Sequence, residues 1–254
     1  MTRGFVIMAQ NTETTDYVKC AEVLKKSILR HMPNAEVTIV TELPHGDQAP
    51  SSNWKLINDW QVYEASPYDE TIKLEADMFM TRNIDHWWDI LSVNDVAICT
   101  TIRNFKGEIS HNRGYRKFVD DNKLPDTYNA ITYFKKSETA EYFFNTVRNI
   151  FENWTDYKAI LQCNPNEEAT TDFVYAIASH IVGIEKTTIP NFPEFSMVHM
   201  KQFINDLPTE NWTHTLVYEI LPEVVRINTY SQTYPLHYHV KSFASELDKT
   251  LWNT

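Results

Sequence analysis

Glycine is scarce in this chain, with five in 254 residues. No G-x-G-x-x-G and no phosphate-cradling P-loop occurs, which argues against dinucleotide-dependent dehydrogenases and P-loop kinases. G-x-S-x-G and C-x-x-C are also absent, and with them the signatures of a hydrolase nucleophile elbow and of a thioredoxin-like redox pair. The three cysteines, Cys20, Cys99 and Cys163, are odd in number and far apart. They match neither a disulfide framework nor a zinc pattern, so a reducing, cytoplasmic setting is expected. Long hydrophobic runs are missing too: the apolar stretch at residues 4–9 is too short for a signal peptide or a membrane span. Basic residues are in the minority, 23 Lys and Arg against 34 Asp and Glu, for a net charge of −11. That balance argues against tight, nonspecific nucleic-acid binding, which needs a basic face. It does not exclude an anionic ligand, because a bound cation and one lysine reverse the local field.

What is present reads as an α/β protein. Residues 4–9 form a short, apolar, partly β-branched run expected to be a buried strand. Over residues 16–31, Tyr17, Ala21, Leu24, Ile28 and Leu29 fall at helical spacing, with Thr15 or Asp16 able to cap the start. Residues 37–40 read as a second strand, completing the strand–helix–strand unit of a parallel sheet. Further along, a helix is expected over 54–65 and a turn at 66–69. A strand then runs into Glu75-Ala76-Asp77, with a short helix at 84–91 and a strand at 96–101. Residues 103–125, polar and containing Gly107 and Gly114, are expected to be a mobile loop. A strand at 128–134, a helix over 137–154 capped by Ser137 and a helix over 167–182 follow. The tail from 187 mixes short strands, prolines and aromatics. With no repeat and no composition break, one domain over residues 1–254 is expected.

Two constellations carry chemistry. In Glu75-Ala76-Asp77, residues i and i+2 of an extended strand share a face, so two carboxylates would aim at one point. Oxygen-rich sites of that kind suit Mg²⁺ or Mn²⁺. Such triplets are common on solvated strand ends. This one interrupts an apolar stretch, where unpaired carboxylates are costly unless a cation balances them. The second constellation is His237-Tyr238-His239-Val240-Lys241. Read as a strand, it puts His237, His239 and Lys241 on one face. Imidazole can complete a metal site, and the lysine can neutralise phosphate oxygens. The bland alternative is a half-buried strand carrying two histidines. Lys73 either counters a phosphate or snorkels from its strand. Trp87 and Trp88 are expected to be buried aromatics rather than an acceptor wall.

The run from Ser66 to Phe79, in which an apolar strand enters Glu75-Ala76-Asp77, resembles the DxD region of GT-A glycosyltransferases, most of all glycogenin-like enzymes of family 8. Glu75 stands where that family has its first Asp. The stretch from Phe5 through Ala9, Gln10 and Asn11, followed by Tyr17, is similar to the strand and loop that cradle the nucleoside. The stretch from Tyr128 to Phe134 resembles the segment near the sugar, which implies a role for Asn129; Ile131 replaces the usual glycine. The segment ending at Asp172 resembles the acidic stretch that faces the transferred sugar. The His237-to-Lys241 run resembles the element that closes on metal and diphosphate, here with a shortened spacing.

The resemblance implies a single GT-A-like domain with a mostly parallel central sheet flanked by helices, and a metal-dependent glycosyltransferase. Glu75 and Asp77, with His239 and next His237, would hold Mn²⁺ or Mg²⁺ on a nucleotide-sugar donor, a UDP-sugar first. Lys241 would contact the diphosphate, and Asp172 would orient the sugar or the acceptor hydroxyl. Ala9, Gln10, Asn11, Tyr17, Lys73 and Asn129 would complete the donor site. The acceptor would be a saccharide, a protein or a modified base. Two other readings use the same scaffold: a sugar-phosphate nucleotidyltransferase, and a non-catalytic nucleotide- or sugar-binding protein.

Overall fold

The computed structural model describes residues 1–51, 54–114, 116–162, 167–221 and 224–252. Cys163 lies outside them, as do residues 52 and 53 and residue 115 of the 103–125 segment. The strands in chain order are β1 (Arg3–Met8), β2 (Val37–Val40), β3 (Glu70–Glu75), β4 (Met78–Phe79), β5 (Val96–Cys99) and β6 (Thr101–Arg103). They continue with β7 (Tyr128–Lys135), β8 (Ser196–His199), β9 (Tyr218–Leu221), β10 (Val224–Ile227), β11 (Tyr230–Ser231) and β12 (Leu236–His237). The helices are α1 (Tyr17–His31), α2 (Val62–Ala65), α3 (Trp87–Leu91), α4 (Lys117–Asp121) and α5 (Glu138–Glu152), then α6 (Trp154–Ile160), α7 (Thr171–Val182), α8 (Ile184–Thr187) and α9 (Phe243–Trp252).

Five strands form the central sheet in the order β2-β1-β3-β7-β5. β1 pairs in parallel with β2 and β3, while β7 runs antiparallel to both β3 and β5, so four of the five strands point the same way. Successive residues of β1 face opposite layers. Phe5 and Ile7 enter one core with Leu24, Ile28 and Trp87, whereas Val6 enters the other with Phe143, Val147 and Val174. The sheet is therefore covered on both faces. A second sheet, β4-β12-β8-β6, carries His237 at the end of β12 and His199 at the end of β8.

Local chemistry sets the main elements. Asp16 accepts a hydrogen bond from the Lys19 amide at 3.0 Å and starts α1. Ser137 and Thr170 cap α5 and α7 in the same way. Gly183 leaves α7 with φ +119°, a conformation that favours glycine. At Gly4 a Cβ would lie 2.3 Å from the Tyr68 ring, so only glycine lets that ring pack against β1. Trp87 and Trp88 are buried, as expected.

Four expected elements differ from the structure. The 54–65 helix is a 3₁₀ segment, Leu56–Gln61, that passes into the short α2. The 96–101 strand divides at Thr100: β5 stays in the central sheet, with an irregularity at Ile98/Cys99, and β6 joins the second sheet. The 167–182 helix begins only at Thr171, because Thr170 takes the capping position. The 103–125 segment is not a structureless loop. It contains α4, and ion pairs of Arg113 with Asp120 and Asp126 and of Arg116 with Asp126 and Asp172 pin it to the body. Among the described residues no helix is long and apolar enough to cross a membrane.

Candidate functional site

A cavity of about 460 Å³ opens at the carboxyl ends of β1 and β3, where α/β sheets commonly place ligands. Met8, Lys73, Leu74 and Glu75 line it from the central sheet, and Met197, His199 and His237 from the second sheet. Gln10, Tyr17, Asp77, Asp172, His239 and Lys241 also border it.

The two acidic residues do not share a strand face. β3 ends at Glu75, and the chain turns through Ala76 and Asp77 before β4. The alternation rule holds only while a strand continues. The carboxylates nevertheless converge on His237. Its Nε2 lies 3.0 Å from Asp77 Oδ2 and 3.3 Å from Glu75 Oε2. Pairing of β4 with β12 places Met78 opposite His237, and the Tyr238 amide donates to the Asp77 carbonyl at 3.1 Å. Residues 160 positions apart are thereby fixed side by side.

The His237-to-Lys241 run is not a continuous strand either. β12 stops at His237, and His239 has φ +62°. The Val240 amide donates to the Tyr238 carbonyl at 2.6 Å across it, which makes His239 the centre of a γ-turn with positive φ, an uncommon and strained geometry. The indole of Trp212 donates to the same carbonyl at 2.7 Å. Through this turn His239 comes back against the cluster, its ring centroid 6.1 Å from that of His237. Lys241 Nζ reaches Asp77 Oδ2 at 2.5 Å. One ligand atom from each of Asp77, His237 and His239 lies within 4.8 Å of the others.

The electrostatics follow from burial and pairing. Burial disfavours the charged form of Asp77, but His237 and Lys241 outweigh it and hold the carboxyl well below its usual range. Glu75 is pushed up, chiefly by burial, although His237 and Lys73 oppose the rise. Burial, with Lys241 and His237 nearby, pushes His239 down to about 3. His199 is also driven well down, by burial first and then by His237. Burial opposes the charge on Lys241, yet Asp77 and Tyr17 raise it. His239 and His199 are therefore neutral at pH 7, the form in which imidazole binds metal.

The far side of the cavity holds a buried polar network. Lys73 is 1% exposed and pairs with Asp59 at 2.8 Å. Asp59 also accepts from Tyr175 Oη at 2.5 Å and Asn129 Nδ2 at 3.3 Å. Asp172 Oδ1 accepts from the Asn129 amide at 2.9 Å, and its Oδ2 lies 3.6 Å from Nη1 of buried Arg116. Of the residues expected at a donor site, Gln10, Tyr17, Lys73, Asp172 and Lys241 line the cavity; Ala9, Asn11 and Asn129 do not. Ala9 is buried, with its amide bound to the Val40 carbonyl. The Asn11 side chain accepts from the Val18 amide at 3.0 Å. Asn129 is buried and supports Asp59 and Lys73.

Sequence reasoning missed His199, Asp59 and Arg116. His199 ends β8 in parallel register with His237, their rings 4.6 Å apart. The available signal was a short apolar strand, Ser196–His199, ending in histidine just as Leu236–His237 does. The cationic residues lining the cavity, Lys55, Lys73, Arg116, Lys201 and Lys241, outnumber the carboxylates of Asp59, Glu75, Asp77 and Asp172. The lining is thus not acidic, despite the net charge of the chain.

No protein-family model and no curated protein matches the chain. Among solved structures it is similar to the apo form of the glycosyltransferase GlyE of Streptococcus pneumoniae TIGR4, at 12% identity and a TM-score of 0.48 over 100% of this chain. The match spans 62% of the GlyE chain. It is also similar to the galactosyltransferase LgtC solved with donor and acceptor sugar analogues, at 11% identity and a TM-score of 0.41, covering 63% of this chain and 66% of that one. Mouse xyloside xylosyltransferase 1 matches at 10% identity and a TM-score of 0.42, over 79% of this chain and 88% of its own. All three are glycosyltransferases. At these identities the activity of this chain must be argued from its own site.

Proposed function

We propose that the chain is a metal-dependent glycosyltransferase that moves a sugar from a nucleotide-sugar donor, a UDP-sugar first, to an acceptor hydroxyl. The observation that carries this reading is the convergence, in one cavity, of the acidic turn after β3 with the histidines and lysine that follow β12.

The donor set fits a divalent ion. Asp77 offers an ionised oxygen, and His237 and His239 offer ring nitrogens at mutual distances that a small ion can bridge. Among the described residues, the buried Nδ1 atoms of His199 and His237 have no hydrogen-bond partner, and in a native site each such atom calls for an explanation. A Mn²⁺ or Mg²⁺ ion held by Asp77, His237 and His239, with Glu75 beside them, would offset the charge that develops on the departing nucleoside diphosphate.

The remaining steps belong to the chain itself. Lys241 contributes a second positive contact to the diphosphate. Tyr17, 5.8 Å from Lys241 Nζ at its ring centroid, and Gln10 border the nucleoside end. Asp172, fixed by the Asn129 amide, orients the sugar or the acceptor hydroxyl. Lys73 is held by Asp59 and acts through the floor of the cavity rather than as a free phosphate contact.

Thermal denaturation with UDP in the presence and absence of Mn²⁺ tests the donor reading, and a panel of nucleotide sugars then tests turnover. UDP with Mn²⁺ should raise Tm, and at least one UDP-sugar should be hydrolysed or transferred. Asp77→Asn should abolish that turnover. Full activity in the variant would place the chemistry elsewhere, and UDP binding without turnover of any sugar would favour a binding protein.

A further inference from the structure

The floor of the cavity is charged and is aligned by one residue that does not line it. The ladder between β3 and β7 ends at Leu74 opposite Ile131, and Asn129 lies two positions beyond that end. Side chains take up its main-chain groups instead. The Asn129 carbonyl accepts from Lys73 Nζ at 3.3 Å, and its amide donates to Asp172 Oδ1 at 2.9 Å. Its side-chain Nδ2 donates to Asp59 Oδ2 at 3.3 Å. Asn129 is buried, whereas Lys73, Asp59 and Asp172 all line the cavity. An ammonium carries three N–H donors. Lys73 directs one to Asp59 Oδ1 at 2.8 Å and one to the Asn129 carbonyl. Among the described residues it has no third hydrogen-bond partner, and at 1% exposure it does not snorkel to solvent. Each carboxylate beside it has lone pairs for about four hydrogen bonds. Lys73, Asn129 and Tyr175 leave Asp59 with some of that capacity.

A fixed donor beside a fixed acceptor is complementary to a hydroxyl, which accepts through its oxygen and donates through its proton. It suits a phosphate poorly, because a phosphate oxygen would meet the Asp59 carboxylate, and like charges side by side are costly. Lys73 precedes Glu75 by two residues on β3. The floor therefore adjoins the proposed metal and diphosphate, the place of the sugar attached to them. We infer that Lys73 and Asp59, aligned by Asn129, read one ring hydroxyl of the transferred sugar: its oxygen accepts from Lys73 Nζ and its proton goes to the Asp59 carboxylate. The inference rests on the nucleotide-sugar reading above and adds the class of sugar. That sugar is a hexose with a free hydroxyl at the edge that enters the floor, and a sugar deoxygenated or acylated there is rejected. A ligand lacking the hydroxyl leaves a buried charged donor and its acceptor unmatched, the condition under which discrimination is large.

The test is calorimetry of the full chain in Mn²⁺ with UDP, UDP-glucose, UDP-galactose and the forms of each hexose in which one hydroxyl at a time is replaced by fluorine. Fluorine fills the place of the hydroxyl but cannot donate. For the hexose that binds more tightly, replacement at one position should weaken binding about 30-fold, within the range of a hydrogen bond to a charged group. Lys73→Gln keeps a hydrogen-bonding amide against Asp59 and should reduce that loss to about fivefold or less, the range of a neutral hydrogen bond. Asp59→Asn/Lys73→Met removes both charges together and should reduce it further; if this pair does not fold, Lys73→Gln decides. A wild-type loss below about tenfold at every position, or an undiminished loss in Lys73→Gln, overturns the inference and leaves the nucleotide reading standing. So does a fall in affinity for UDP itself as large as that for the UDP-hexose in Lys73→Gln, which would make Lys73 a phosphate contact. UDP that does not bind at all overturns both.

Discussion

Lowering the pH from 7 to 5 should destabilise the metal-free protein by about 2 kcal/mol through His239 alone. Burial in the cavity wall, with Lys241 and His237 nearby, pushes this imidazole down from its ordinary value of 6.5 to about 3. In the unfolded chain it titrates normally. At pH 8 both states are neutral and His239 contributes no pH dependence. As pH falls through 6.5 the unfolded state takes up a proton that the native state refuses, so stability falls, and it goes on falling until the native group titrates near 3. At pH 5 the unfolded imidazole is about 97% protonated, which favours unfolding by about 2 kcal/mol, against about 0.2 kcal/mol at pH 7. The figure is insensitive to the native value: moving it from about 3 to about 4 changes the penalty at pH 5 by less than about 0.1 kcal/mol. His199, also driven down by burial, adds to the same slope. Urea denaturation in chelator at pH 8, 7, 6 and 5 would compare wild type with His239→Gly. The variant should lose about 2 kcal/mol of the wild-type fall between pH 7 and 5. Its relief of the strained turn, about 1–3 kcal/mol, is constant with pH and cannot mimic that change. Parallel curves for the two proteins would refute the claim that His239 is held neutral.

The buried pair on the other side of the cavity makes a second prediction. Asp59→Asn leaves the Lys73 ammonium, 1% exposed, without a counter-charge and should cost about 3–5 kcal/mol in urea denaturation. Asp59→Asn/Lys73→Met should recover part of that loss, and a cost below about 1 kcal/mol for the single variant would mean that Lys73 finds another partner. At the metal side, Lys241→Met should shift two affinities in opposite directions. Mn²⁺ should bind more tightly by calorimetry, because Asp77 is no longer shared. UDP should bind about tenfold or more weakly, in line with the ~1.5–3 kcal/mol of a hydrogen bond to a charged group. A fall in both would make Lys241 a structural support only.

The legible parts of the fold were those whose causes are local. β1 and β2 are short apolar runs, β3 and β7 are rich in β-branched and aromatic residues, and α1 and α5 announce themselves through the caps Asp16 and Ser137. The illegible parts depend on distant partners. Arg113 and Arg116 turn a polar stretch into an ordered one by pairing with Asp120, Asp126 and Asp172. β6 leaves the line of β5 because Thr101 to Arg103 pair with Ser196 to Val198. The same division runs through the site. Glu75, Asp77, His237, His239 and Lys241 were recognisable by type and order. Their geometry was not, because the period-two rule assumes strands that continue, and both strands stop. One stops at a turn locked by the Tyr238 amide on the Asp77 carbonyl, the other at the γ-turn around His239. His199 drew no notice as a lone histidine; its meaning lies in its register with His237.

The charges around the cavity explain why ion and nucleotide binding should depend on each other. Although cations outnumber carboxylates in the lining, they are already engaged. Lys55 pairs with Asp47, Lys73 with Asp59, Arg116 with Asp126 and Asp172, and Lys241 with Asp77. An incoming diphosphate must compete with these carboxylates in a protein whose net charge is −11. The Lys241–Asp77 pair differs from the others, because Asp77 also belongs to the triple, with His237 and His239, that is proposed to hold the ion. Drawing Asp77 to a divalent ion leaves the Lys241 ammonium less compensated and next to a new positive charge. The field then turns favourable to phosphate at the place where it had been neutral. By linkage the nucleotide must strengthen the ion to the same degree. The ion pair holds Lys241 and Asp77 together, and the opposite shifts expected of Lys241→Met follow from that arrangement.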